Sequence, residues 1–90
     1  MYNINDVYYA ASLLGLTFDK FTPEELLIGI NIELEHGSIN PKTNVTNNDL
    51  IVTTKIALAH LNEFPNYYNK EYGLLKFEEF LKSKLWLKKV

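Results

Sequence analysis

The sequence predicts an all-α fold: a single small domain, residues 1–90, with about five helices around one core. Two observations carry that prediction: apolar residues recur at the spacing of helix faces, and the segments between them start with caps and end at glycine or proline. A third sets the scale. A chain of 90 residues buries only about 60 to 65% of the surface it exposes when unfolded. Yet 47% of this one is apolar or aromatic, with Trp86, five Phe and six Tyr, enough for one core and too much for a disordered chain.

The first helix is expected over about 4–14, capped by Asn3, striped by Ile4, Val7, Tyr8, Ala11 and Leu14, and stopped by Gly15. The second, about 23–36, has the sharpest start. Thr22 and Glu25 form a capping box, Pro23 takes the first helical position, and Phe21 staples onto Leu26. Gly37 is expected to end it in the left-handed conformation. Leu26, Leu27, Ile30 and Leu34 share an arc of about 100°, while Ile28 and Ile32 lie opposite. A helix apolar on two sides belongs at the centre. Gly29 inside it costs ~1 kcal/mol against alanine, and so marks the close approach of a backbone or of a bulky ring such as Tyr67 or Tyr68.

A polar loop follows, and Thr46 with Asp49 opens a third helix of about 47–63. Its main face is Leu50, Ile51, Thr54, Ala57, Leu58, Leu61 and Phe64, with Val52, Ile56 and Ala59 behind. Pro65 cannot continue that helix, so the chain breaks near Phe64 and restarts as a short fourth helix, 65–72, through Tyr67 and Tyr68. Gly73 breaks it again. The last helix, about 74–87, carries Leu74, Phe77, Leu81 and Leu85 at helical spacing, with Lys in its final turns, where positive charge suits the dipole.

Composition excludes several classes of function. The chain has no cysteine, so disulfides, thiolate metal sites and cysteine nucleophiles are absent together. All nine basic residues are Lys, and without the planar fork of Arg, nucleic-acid recognition is disfavoured. No stretch approaches the ~20 apolar residues of a membrane span, and Met1–Asp6 lacks the pattern of a signal peptide. A cytoplasmic protein is the expectation. Charge is polarised: residues 1–36 hold six acids and one Lys, residues 76–90 five Lys and two acids.

The two His residues each have a Glu three positions away, Glu33-x-x-His36 and His60-x-x-Glu63. Residues three apart share a helix face, so each pair can present a carboxylate and an imidazole together, as helical carboxylate-bridged metal sites require. Geometry argues against a shared site. In an antiparallel hairpin of the second and third helices, thirteen residues of rise put His36 and His60 about 20 Å apart; only a parallel pairing, which the polar loop is long enough to allow, brings them to one site. The plainer reading makes His36 a helix C-terminal residue that suits the dipole, and His60 a boundary side chain held by a neighbouring Glu. No Gly-x-Ser-x-Gly elbow, phosphate loop or carboxylate dyad is present, so no catalytic residue is assigned. The Asn-rich loop from Asn40 to Asp49 lacks the acids and glycine of a calcium loop.

Three segments together carry a resemblance: Phe21-Thr-Pro-Glu-Glu-Leu-Leu-x-Gly-Ile-Asn-Ile-Glu-Leu-Glu-His-Gly37, then Thr43–Asp49, then Lys55-Ile-Ala-Leu-Ala-His-Leu-Asn-Glu-Phe-Pro-Asn-Tyr-Tyr68. Over residues 21–72 the chain resembles a family of short, functionally uncharacterised proteins encoded by bacteria, phages and large viruses. Its recurring signatures, Glu-x-Glu-His-Gly and Ala-x-x-His-Leu-x-Glu-x-Pro-x-Tyr-Tyr, fall here on Glu33, Glu35, His36, His60, Glu63, Pro65, Tyr67 and Tyr68. The resemblance implies a compact helical domain and transfers no reaction, substrate or cofactor. The first helix and the Lys-rich tail lie outside it.

The expected function is that of a small non-enzymatic binding or accessory module without a cofactor, self-associating or meeting a protein partner. Its candidate surface is Tyr67, Tyr68, Tyr72 and Trp86. The alternative is a divalent-metal site built from Glu33, His36, His60 and Glu63.

Overall fold

The computed structural model describes the backbone of residues 1–88 and the side-chain surroundings of residues 1–84; Trp86 and Leu85 lie outside the described side chains. Four α-helices are present among the described residues: α1 (Ile4–Leu14), α2 (Pro23–Glu33), α3 (Leu50–Glu63) and α4 (Leu74–Lys88), with one 3-10 turn, Leu34–His36, after α2. The all-α prediction holds, with four helices in place of five.

Local chemistry accounts for the boundaries. The Asn3 side chain accepts from the Asn5 and Asp6 amides while Asp6 reaches back to the Asn3 amide, closing a capping box, and Gly15 ends α1 at φ 67°, ψ 37°. Thr22 and Glu25 exchange the same pair of bonds at the start of α2, with Pro23 in the first helical position. Gly37 departs from expectation. It is extended, at φ −96° and ψ −150°, and its missing Cβ leaves room for the Asn48 carboxamide instead. That carboxamide accepts from the Ser38 amide at 2.9 Å and donates to Ser38 Oγ at 2.6 Å, closing the intervening loop on itself.

α3 starts three residues later than predicted because Asn47 and Asn48 take left-handed conformations, φ 50° and 63°, which short amide side chains tolerate. Asp49, not Thr46, is the cap and accepts from the Val52 amide at 2.9 Å. The helix expected over 65–72 does not form. Tyr67 and Asn69 donate to carbonyls three residues back, at Phe64 and Asn66. The Asn69 side chain then takes the amides of Glu71 and Tyr72, at 2.8 and 3.3 Å. Such side-chain bonds give the backbone an alternative to the helical ladder. Gly73 fits because a Cβ there would meet backbone atoms of Tyr67 and Asn69 at 2.5–2.6 Å.

α2 packs on both α1 and α3, and α1 also touches α3. The core is Val7, Phe21, Leu26, Ile30, Ala57, Leu61 and Tyr68, with Ile28 and Ile32 half-buried against it, so α2 is central as its two apolar faces require. On α1 the buried positions are Val7, Ala10 and Ala11, and Tyr8 points out. Phe64, placed on the main face of α3 by the sequence, is also exposed, because the break at Pro65 turns the chain away. Tyr2 ties the N-terminal segment to α2 by exchanging two bonds with the Asn31 side chain, at 3.0 and 3.1 Å.

α4 differs from the rest. Leu74 packs on the core, but among the described residues α4 shares no substantial interface with α1, α2 or α3. The molecule measures 50 × 30 × 20 Å, long for a chain of this size.

Candidate functional site

The polar centre is built on Glu33, a carboxylate only 4% exposed at the end of α2. A buried carboxylate is costly unless hydrogen-bonded; here one hydroxyl bonds it and two imidazoles approach it. The Tyr68 hydroxyl donates to Glu33 Oε2 at 2.5 Å. His60 Nδ1 lies 3.2 Å from the same oxygen and 2.9 Å from the Tyr68 hydroxyl. His36 Nε2 approaches the other oxygen, Oε1, at 3.9 Å from an exposed position. The single phenolic proton points at Glu33, so His60 Nδ1 must carry hydrogen to meet either oxygen, which leaves Nε2 as its other ring nitrogen. Among the described residues, every fully buried side-chain nitrogen or oxygen has a partner.

Aromatic packing fixes this geometry. The His60 ring stacks on Tyr67, centroids 4.4 Å apart at 14°, and Tyr67 meets Tyr68 edge-on at 4.9 Å. Tyr68 in turn packs against Gly29, where a Cβ would sit 2.5 Å from ring atom Cε2. The interior glycine of α2 is thus the seat of the Tyr68 ring. Burial and the hydrogen bond to Glu33 push the Tyr68 phenol far above its ordinary value. Burial, followed by the charge of Glu33, also raises Tyr67.

The candidate residues therefore separate. Glu33, His36 and His60 come together, and the ~20 Å separation expected for an antiparallel hairpin does not arise: both rings end on opposite oxygens of one carboxylate. That arithmetic assumed an antiparallel hairpin, whereas the end of α2 lies beside His60 in the last turn of α3, and in a 3-10 turn residues three apart eclipse, which sets His36 over Glu33. Glu63 is exposed and stands outside the cluster. Among the described residues, no group of three His, Cys, Asp or Glu is arranged to hold a metal ion. Tyr68, expected on a partner surface, is 2% exposed and belongs to the core. Tyr67 and Tyr72 do line a surface, an open groove of ≈ 420 Å³ completed by Phe64, Leu74 and Phe77. The role of Tyr68 as bridge between Glu33 and His60 escaped the sequence reading, although its contact with Gly29 was legible.

A family model for a protein of unknown function, DUF5661, matches residues 7–79. The chain belongs to the DUF5661 family. The match reaches further than the resemblance suggested, taking in most of α1 and the first turns of α4 besides the polar centre. No curated protein and no solved structure matches the chain. No helix among the described residues is long and apolar enough to cross a membrane.

Proposed function

We propose that this DUF5661 chain is a non-enzymatic protein-binding module, working in the cytoplasm, that docks through α4 and the aromatic groove at its root. One observation carries the reading. After Leu74 and Leu75, α4 leaves the body with Phe77, Phe80 and Leu81 at 57, 54 and 46% exposure on a helix without a substantial helix partner among the described residues. Contiguous apolar surface of this kind marks interaction sites in soluble proteins. The Glu33–Tyr68–His60 cluster then has a positioning role: it clamps the 64–73 segment, from which α4 springs, onto α2 and α3.

The metal alternative draws on Glu33 facing both imidazoles, but it would have to displace the Tyr68 and Glu33 contacts of His60 Nδ1 and lacks Glu63 as a neighbour. A photo-reactive benzoyl-phenylalanine placed at Phe77 or Phe80 in cells tests the docking reading, with Tyr9 on α1 as the exposed control. Protein adducts at 77 and 80 and none at 9 are expected. Equal labelling at all three, or none, removes α4 as the docking element.

A further inference from the structure

We propose that the groove at the root of α4 takes a cationic segment of the partner, a Lys or Arg side chain lying against its aromatic rings and facing the carboxylates of Glu63 and Glu78. This rests on the docking reading and gives the partner its chemistry.

Phe64, Tyr67, Tyr72 and Phe77 put four aromatic side chains around one opening of ≈ 420 Å³, and no residue lining it carries a charge. Ring faces are the negative part of the aromatic quadrupole, so an ammonium or guanidinium within about 6 Å of a centroid is attracted to them. Tyr67 is fixed before any guest arrives, because His60 stacks on it and Tyr68 meets it edge-on. The chain makes one contact of this kind itself, further along α4, where the Lys84 ammonium lies 5.3 Å from the centroid of the Phe80 ring.

The rim of the groove is acidic. Glu63 directly precedes Phe64, and Glu78 directly follows Phe77. Burial is the largest cause of the raised Tyr67 phenol, and the remaining causes are the negative charges of Glu33, Glu78 and Glu63. Three carboxylates from three elements therefore act at one groove residue. On α4, Glu78 comes four residues after the groove residue Leu74 and shares its side of the helix. Lys76 is two residues from Leu74 and turns away, where Glu79 holds it at 3.3 Å. Lys70 lines a separate cleft together with Glu25 and Glu71.

This combination selects among occupants. A wholly apolar partner would cover the half-buried Glu78 without supplying a counter-charge, and desolvating an unpaired carboxylate is costly. An acidic partner would be repelled. A basic one satisfies rings and rim together.

The test titrates the isotopically labelled full chain with three peptides of known sequence, followed by amide NMR up to about 5 mM peptide. The peptides are acetyl-Leu-Lys-Leu-Lys-Leu-amide and its counterparts with Gln or Glu in place of both Lys. The Lys peptide should shift the resonances of Tyr67, Tyr72, Gly73 and Phe77 to saturation, the Gln peptide more weakly and the Glu peptide not at all. Raising NaCl from about 0.05 to 0.5 M should weaken the Lys peptide, since exposed charges are screened. Glu63→Gln with Glu78→Gln, both isosteric, should weaken it about three- to tenfold and leave the Gln peptide unchanged. Equal binding of the Lys and Glu peptides overturns the proposal, as do shifts confined to another surface or an affinity indifferent to salt and to the double substitution. If no peptide binds while cellular adducts still form at 77 and 80, the cationic partner fails and the docking reading stands. If the adducts vanish too, both fail.

Discussion

Tyr68→Phe isolates the hydroxyl that joins Glu33 to His60. The ring keeps its seat on Gly29 and its edge contact with Tyr67, so no cavity opens and the change removes one hydrogen bond. That bond ends on a carboxylate 4% exposed, and hydrogen bonds to charged groups contribute about 1.5–3 kcal/mol. His60 remains near the same oxygen and compensates in part, so the lower half of that range is expected. Urea unfolding followed by circular dichroism at neutral pH measures it, and a Tm lowered by roughly 6–18 °C should accompany it. Alkaline titration supplies a second readout. Burial, then the Glu33 hydrogen bond, raises the Tyr68 phenol above the ordinary value of 10.0, so the fold retains the neutral form. Below about pH 10 folded and unfolded chains both hold this proton, and its contribution is complete. As pH climbs past 10 the unfolded phenol ionises first, and stability falls until the folded phenol ionises too. Tyr68→Phe should remove that proton's share of the alkaline slope and leave the shares of Tyr67 and Tyr2, whose phenols burial also raises. A variant within 0.5 kcal/mol of wild type with an unchanged alkaline slope would refute the clamp.

Gly29→Ala should gain ~1 kcal/mol of helix propensity and lose more than that to the Tyr68 ring 2.5 Å from the new Cβ. A net loss of about 1–2 kcal/mol is expected in thermal melts, reduced in the Gly29→Ala, Tyr68→Leu double variant. Asp49→Ala should cost about 1 kcal/mol as loss of the α3 cap, with amide exchange accelerating first at Val52; unchanged exchange would return the cap to Thr46. In proton NMR, the C–H resonances of His36 and His60 should move independently as zinc or manganese is added. A joint shift at one equivalent would instead establish the metal reading.

The elements that sequence predicted well are those whose cause is local. Asn3, Gly15, Thr22, Glu25 and Pro23 each act within four residues of where they stand, and the helix ends they dictate are where they were expected. Gly29 was legible for another reason: a glycine inside a helix with no turn to make has to be explained by something packed against it, and Tyr68 is that group. The misses share the opposite property. Whether 65–72 became a helix depended on Asn69 capturing two amides, a competition that periodicity does not record. Gly37 ended its helix by making room for Asn48, eleven residues on, not by its own φ.

The polar centre shows the same division at the level of function. Glu33 and His36, three residues apart, do approach each other, at 3.9 Å, because their contact is local, and the same spacing would pair His60 with Glu63 by identical logic. The second pairing fails because Glu33, arriving from another element, is buried and Glu63 is not. A buried carboxylate must be met by donors or it destabilises the fold, whereas an exposed one is already satisfied by water, so the imidazole of His60 and the phenol of Tyr68 gain more at Glu33. Burial decides which of two chemically equivalent partners a histidine takes, and burial is set by the packing of α2 against α3. The same argument separates Tyr68 from Tyr67 and Tyr72: the three share composition and neighbourhood, but only the ring seated on Gly29 reaches the carboxylate, leaving the other two to line the groove at the root of α4.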